Sequence, residues 1–316
     1  MNGVVSMNFD WTSRSVEEWR TLLARVPRAN YLQSLPFARA VRLLDQKATR
    51  LAVLKKDDAM VGMMALQEIK LGPVHVLYLY RGPLWFTEHP GDSWLAEFAQ
   101  LFNQTYPRRF LRRRRWLPEW RDSETAQKVL AQHGFQPARQ SYETIWLDLT
   151  QTEDKLRASL KQKWRNALNK GEREDVLTHA DWEGKTAGVL LKFYDEDRKA
   201  KKYHGRSSRF IQEEIKTALS FNEVVILWGV HDNQVVAGIM ILLHGHSASY
   251  RIGWSSPAGR QCNAHNVLLW EAVKTLKAKG VHFFDLGGVE PSTAEGLTHF
   301  KEGMGGEKFK TPGMYL

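Results

Sequence analysis

Apolar and polar positions alternate with period two in two distant stretches, each centred on a pair of turn-forming residues. Leu51-Ala-Val-Leu-Lys-Lys-Asp57-Asp58-Ala-Met-Val61-Gly62-Met-Met-Ala-Leu66 reads as strand, two-acid turn and strand. Trp228-Gly-Val-His-Asp232-Asn233-Gln-Val-Val-Ala-Gly238-Ile-Met-Ile-Leu-Leu243 reads the same way, about one residue looser at the turn. Asp and Asn tolerate left-handed backbone and form Asx turns, so both stretches predict a β-hairpin. A third strand follows each, Val74-His-Val-Leu-Tyr-Leu-Tyr80 and Ser247-Ala-Ser-Tyr250-Arg251-Ile-Gly253. Measured from Gly62 to Gly238, the copies stand 176 residues apart.

Helical periodicity fills the intervals. Ser15 can cap a helix to Val26, with Glu17 and Glu18 at the positive end of its dipole. Trp94, Leu95, Phe98, Leu101 and Phe102 share a face in a helix over Pro90–Gln104, and Ser123–His133 is closed by Gly134. Leu156, Leu160, Trp164 and Leu168 recur at steps of four, predicting one helix over Gln151–Gly171. Val189–Arg198, Arg209–Ala218 and Asn266–Lys279 follow by the same test, and Val281–Leu286 reads as a strand. The pattern predicts an α/β (α+β) chain of two tandem units, each a mixed sheet flanked by helices. At ~150 residues per domain the length agrees. The boundary is expected near Leu149–Asp154, giving domains over 1–150 and 151–303, with residues 304–316 packing back on the first.

Hydrophobic residues make up 43% and charged residues 25% of the 316, the mix of a globular protein rather than a disordered one. The single cysteine, Cys262, excludes an intrachain disulfide framework and any multi-cysteine zinc site. The first ten residues lack the charged and apolar regions of a leader, and no run approaches ~18 apolar residues, so the expected compartment is the cytoplasm. His244 and His246 alternate on a predicted strand but no third ligand is placed, so no metal is expected. Hydrolase-elbow, nucleotide-loop and dinucleotide fingerprints are missing.

The net charge of +10 favours a polyanionic partner and is clustered. Pro107–Pro118 holds six arginines and no acid. Lys155–Gly171 holds six basic residues and no acid, and Arg198–Arg209 adds six more. A salt-bridged helix face would intersperse the signs.

Hairpin, strand, helix and strand, repeated, resembles the order of an N-acyltransferase unit of the GNAT type. Such units commonly seat the pyrophosphate of an acyl-CoA on a turn of the form Arg/Gln-x-x-Gly-x-Gly/Ala, where small residues allow close approach. The matching turn here is Arg260-Gln261-Cys262-Asn263-Ala264-His265. Asn263 and His265 replace the small residues, which disfavours a CoA donor, and no cofactor is expected.

Four segments resemble the Fem family of tRNA-dependent non-ribosomal peptidyl transferases (FemABX), tandem GNAT-like enzymes. Tyr31-Leu-Gln-Ser34 with Phe37-Ala38 is similar to its early "F-x-Q-S…W-A" element, and Tyr80-Arg-Gly-Pro-Leu84 to its "P-R-G-P". Leu160-Lys-Gln-Lys-Trp-Arg165 with Asn169-Lys-Gly171 resembles its basic joining helix. Most specific is the end, Phe284-Asp285-Leu-Gly-Gly288 followed by Gly296-Leu-Thr-His-Phe300-Lys301-Glu-Gly-Met-Gly-Gly306. The long coiled-coil arm of some members is absent.

The resemblance implies transfer of an amino acid from aminoacyl-tRNA to an amine of a peptidoglycan-precursor-like peptide, without ATP or CoA. The ester is already activated, so the protein must position the amine, remove its proton and stabilise the oxyanion. Lys301 is the residue expected to supply positive charge. Asp285 either relays a proton or caps the glycine turn that follows. Lys202 resembles a family arginine that grips an acceptor phosphate or carboxylate, as a point charge rather than a fork. Tyr250 and Trp254 are expected to flank the acceptor, with core packing as the other reading. The family's lysine after "W-A" falls on Val41, beside Arg42; Arg42 and Arg81 are the substrate-binding expectations in the first domain. Arg112, Arg114, Lys161, Lys163 and Arg165 are expected to meet tRNA phosphates, with a transient visit to the inner membrane face allowed by the charge. The other readings are an acyl-CoA or acyl-carrier N-acyltransferase acting on a polysaccharide or natural-product amine, and a non-catalytic RNA-binding protein.

Overall fold

The structure, a computed structural model, describes residues 7–91, 93–139, 141–202, 205–289 and 295–316. Most of the stretch read for a leader, and Tyr203-His204 beside Lys202, lie outside the described residues. The chain divides into two units, Met1–Glu143 with Phe309–Leu316, and Thr144–Lys308. The division falls one strand earlier than expected, because the strand at 143–148 pairs within the second sheet.

In the first unit β1 (Met7–Asp10) precedes α1 (Val16–Ala24), where Ser15 and Glu18 form a reciprocal capping box. After α2 (Leu35–Leu44) come β2 (Ala48–Lys56) and β3 (Ala59–Leu71), joined by Asp57 and Asp58 with φ of 49° and 62°. Two consecutive positive φ angles make the turn whose twist matches a hairpin. Then follow β4 (Val74–Tyr80), β5 (Leu84–Trp85), α3 (Ser93–Thr105), β6 (Arg112–Leu117), α4 (Glu124–Gln132) and β7 (Pro137–Arg139). Period-two alternation sorts the hairpin's side chains into two layers. Ala52, Leu54, Met64 and Leu66 join Phe98, Phe102 and Trp116, whereas Val53, Met63 and Ala65 join Trp19, Leu22 and Leu23 of α1. The sheet is therefore covered on both faces.

The second unit begins with β8 (Glu143–Asp148), α5 (Glu153–Ser159) and α6 (Gln162–Arg173). These two helices replace the single helix expected over 151–171. Leu160 and Lys161 adopt extended ψ angles of 132° and 143°, and the Lys161 N–H leaves the helix to donate to the Gly303 carbonyl at 2.9 Å. Next come β9 (Leu177–Asp181), α7 (Ala187–Lys201), α8 (Ser208–Leu219), β10 (Val224–His231), β11 (Gln234–His244) and β12 (Ser247–Ser255). After them stand α9 (Pro257–Gln261), α10 (Ala264–Ala278), β13 (Phe283–Asp285), α11 (Glu295–Glu302) and β14 (Glu307–Lys310). The core packs α10 and α6 against alternate residues of β10 and β11, with Val225, Leu227, Ile239 and Ile241 facing Leu268, Leu269 and Trp164. Finally β15 (Met314–Tyr315) pairs with β6 and β7 of the first unit.

The first sheet runs β1-β2-β3-β4-β6-β15-β7 with β5 on β3, and the second β14-β8-β13-β12-β11-β10-β9. Both hairpins turn on two residues, so the second is no looser: Asp232 and Asn233 have φ of 50° and 59°. Both also carry a one-residue bulge at the same distance from the turn, at Val61 and Val236. The structural repeat is therefore 175 residues, from 61 to 236, and Gly62 corresponds to Ala237 rather than Gly238.

Gly62 is required by close approach: a Cβ there would stand 2.5 Å from the Leu84 carbonyl oxygen. Gly62→Ala is expected to lower unfolding stability by about 1–3 kcal/mol, the usual cost of overpacking. Urea denaturation reads this directly, and an unchanged midpoint would contradict the packing described.

Candidate active site

The second unit's parallel strands part company, and the side chains of interest collect there. β12 pairs with β13 over Ser247–Phe283, Ala248–Phe284 and Ser249–Asp285. β13 then ends, and the Leu286 N–H donates to Ile145 of β8 at 2.9 Å, while β12 runs on from Tyr250 to Ser255. In the first unit the matching pair stays together over six positions, from His75–Arg112 to Tyr80–Leu117. A bulge at Arg251 accompanies the parting, since Met240 faces Ile252 and Ile241 faces Tyr250.

Asp285 ends β13 with its carboxylate accepting the Thr144 hydroxyl and, at 2.8 Å, the Gly287 N–H. It thereby fixes the turn in which Gly287 takes a φ of 75°. Lys301, in the last turn of α11, is buried and donates from Nζ to the Gly288 carbonyl at 2.9 Å. Its Nζ lies 5.7 Å from the centroid of Tyr250. Burial pulls the ammonium down to about 8, against the opposing pull of Asp285.

The Tyr250 hydroxyl shares a 3.1 Å hydrogen bond with His265 Nε2, in the first turn of α10. Burial first, then Lys201 and Lys301, lower the imidazole to about 4, so it is neutral at physiological pH. The Phe300 ring lies 5.5 Å from that of His265 and 6.0 Å from Trp164. A side chain at Gly253 would collide with both the Tyr250 hydroxyl and the His265 ring.

Lys301, Asp285 and Tyr250 are thus brought together. Trp254 is further along β12, stacked on Phe193 of α7 at 4.1 Å. Lys202 is exposed at the left-handed end of α7. Lys161 and Lys163 are exposed, Lys161 reaching Glu302 at 3.4 Å, while Arg165 turns back to the Leu160 carbonyl at 3.2 Å.

In the first unit Arg42 is exposed in the last turn of α2. Arg81 is buried in a bidentate pair with Glu119, both bonds 2.7 Å, so its fork is already filled by protein. Two of the arginines expected to meet phosphates need correcting. Strand alternation on β6 buries Arg114 against Asn103 and the Tyr106 carbonyl, and turns Arg112 to the Pro107 carbonyl. Burial lowers Arg114 to about 10, with Arg108 and Arg112 adding repulsion. The exposed arginines of this strand are Arg113 and Arg115. His246 is also not on a strand: it follows Gly245 in a turn and stacks on His282 at 4.7 Å, while His244 bonds Ser249.

Two features escaped sequence reasoning. His265 counted only as a residue spoiling a phosphate turn, although its place in the first turn of an apolar helix points it at the site. Glu214, fully buried, holds Arg251 at 2.9 Å, a pairing across 37 residues that no local motif announces.

These features define an acyltransferase fold of the GNAT class, and the chain belongs to that family. The profile described as acetyltransferase (GNAT) domain matches residues 154–311. Among solved structures, FemX superposes with a TM-score of 0.78 at 14% identity, covering 98% of this chain and 96% of that one. A conserved protein of unknown function from Bacteroides thetaiotaomicron gives 0.61 at 12% identity, covering 98% of both chains. The C-terminal domain of a putative lysylphosphatidylglycerol synthetase from Agrobacterium fabrum gives 0.51 at 12%, covering 95% and 91%. No curated protein matches the sequence. The protein has the tandem GNAT fold of FemX.

Lys301 has a thermodynamic signature. Its folded value of about 8 lies below its usual 10.5, so between these pH values the unfolded chain holds a proton that the native protein has released. Stability from this group therefore rises with pH across that window, and protonated Lys301 costs stability below it. Lys301→Met should accordingly be stabilised relative to wild type at pH 7 and lose that advantage by pH 10, as read by urea denaturation at both values.

Proposed function

We propose that the protein is a cytoplasmic aminoacyltransferase that moves an amino acid from aminoacyl-tRNA to a primary amine of a peptide acceptor, one like a peptidoglycan precursor. The observation that carries this reading is the buried Lys301 ammonium, held on the Gly288 carbonyl where β12 and β13 part. The acceptor amine attacks the ester carbonyl carbon, a tetrahedral oxyanion forms, and the ribose oxygen leaves with the proton that the amine gives up. A cation in a dry site stabilises the oxyanion more than one in water would. Asp285 acts here as a positioning residue, fixing the glycine turn on which Lys301 rests. Neutral His265 and the Tyr250 hydroxyl bonded to it form a polar wall beside the Lys301 ammonium. The exposed cations Lys161, Lys163 and Lys202 are the tRNA and acceptor contacts in this reading.

The family description favours a second reading, transfer from an acyl-CoA. Against it, the first turn of α10, where backbone N–H groups would meet a pyrophosphate, carries the His265 side chain.

Single-turnover transfer from mixed aminoacyl-tRNAs to a panel of amine acceptors, followed by mass spectrometry, separates the two readings. Transfer from acetyl-CoA but not from tRNA would establish the second. Lys301→Ala is expected to slow the step by about 10²–10³-fold, the range for removing an oxyanion donor. The wild-type rate should fall as pH rises through about 8, where the ammonium discharges. Full activity in Lys301→Ala would remove this residue from the mechanism.

A further inference from the structure

Two neighbouring turns at one end of the first unit's sheet present bare apolar side chains flanked by cations. The β3–β4 hairpin pairs Leu71 with Val74 across Gly72-Pro73. The loop before β6 is a second turn, closed by the Arg112 N–H on the Arg109 carbonyl at 3.0 Å, with Phe110 and Leu111 at its centre. The two turns are tied together, since the His75 N–H donates to the Leu111 carbonyl at 2.9 Å. Phe110 is 87% exposed and Leu71 75%, with Leu111 at 39% and Val74 at 36%. Arg113 braces the tip through the Phe110 carbonyl at 3.1 Å.

Lys70, Arg109 and Arg113 are exposed in these two turns, while Arg108 is turned to the Gly134 and Leu316 carbonyls. Residues 69–75 and 107–113 contain no Asp or Glu. Glu68, the nearest acid along the hairpin, is buried and paired with His75 and Lys70.

We propose that this double turn is a docking tip for an anionic lipid surface, with Phe110 and Leu71 entering the interface and the surrounding cations meeting headgroup phosphates. Apolar side chains at the apex and long cationic ones behind them are the arrangement that partitions into a headgroup layer. Charge complementarity selects the occupant. A second copy would bring the same cations face to face, which is repulsive. Single-stranded RNA would need aromatic platforms, whereas three of the four apolar residues are aliphatic. This proposal does not rest on the aminoacyl-transfer reading and is tested without any substrate.

The test is co-sedimentation of the full chain with phosphatidylcholine vesicles, with and without phosphatidylglycerol, at two salt concentrations. Wild type should pellet with the phosphatidylglycerol vesicles, more strongly at low salt. Leu71→Ser with Phe110→Ser should weaken binding about tenfold or more at both salts. Arg109→Glu with Arg113→Glu should weaken it similarly and flatten the salt dependence. Every substituted side chain is exposed, and unchanged thermal melts would show that both variants fold. Wild type staying in the supernatant with every vesicle overturns the proposal. So does undiminished binding by the apolar variant, which would reduce the effect to adsorption of charge. Loss of tRNA binding or of dimerisation in the apolar variant, with vesicle binding kept, would assign the tip to those partners instead.

Discussion

Burying a cation is the constraint around which the second unit's site is organised. An ammonium taken out of water costs several kcal/mol unless oxygen atoms replace its hydration. Lys301 meets that demand in part with the Gly288 carbonyl, which follows the sharp turn at Gly287. That turn in turn depends on Asp285, whose carboxylate holds the Gly287 N–H. Strand end, glycine turn and helix end thus form one linked device, in which Asp285 holds the turn and the turn offers its carbonyl to Lys301.

Duplication supplies the scaffold, and divergence at one strand junction supplies the site. The two hairpins share their turn, their bulge and the third strand that follows. They differ where the third strand meets the next parallel one. In the first unit Arg112–Leu117 stays zipped to β4, and the arginines are spent on local structure or turned outward. In the second, pairing stops at Ser249, and the polar ends of Tyr250, His265 and Lys301 gather where it stops.

Much of this was legible from residue pattern alone. Asp57-Asp58 and Asp232-Asn233 located both hairpins because few residue types accept two successive positive φ angles. Asp285-Leu-Gly-Gly288 and Lys301 were readable as a group only through the family resemblance, which no spacing or periodicity replaces. What stayed hidden was set by tertiary structure. The break at Leu160–Lys161 is made by a carbonyl of Gly303 far along the chain, and apolar periodicity runs through it unchanged. Arg114 looked like its neighbours in a run of four arginines, and only the strand's facing distinguishes it. The 175-residue repeat was misjudged by one residue because the two glycines invite alignment, whereas the shared turn and bulge match Gly62 to Ala237.

The position of β15 bears on how the chain is assembled in time. It stands between β6 and β7 in the first unit's sheet, and β7 joins that sheet through it. A nascent polypeptide usually completes its N-terminal domain before later segments leave the ribosome. Here that order is forbidden: the first unit can collapse early, but its sheet keeps an open slot beside β6 until residues 314–315 have been made. The unit begun first is therefore finished last, after the whole second unit has been synthesised.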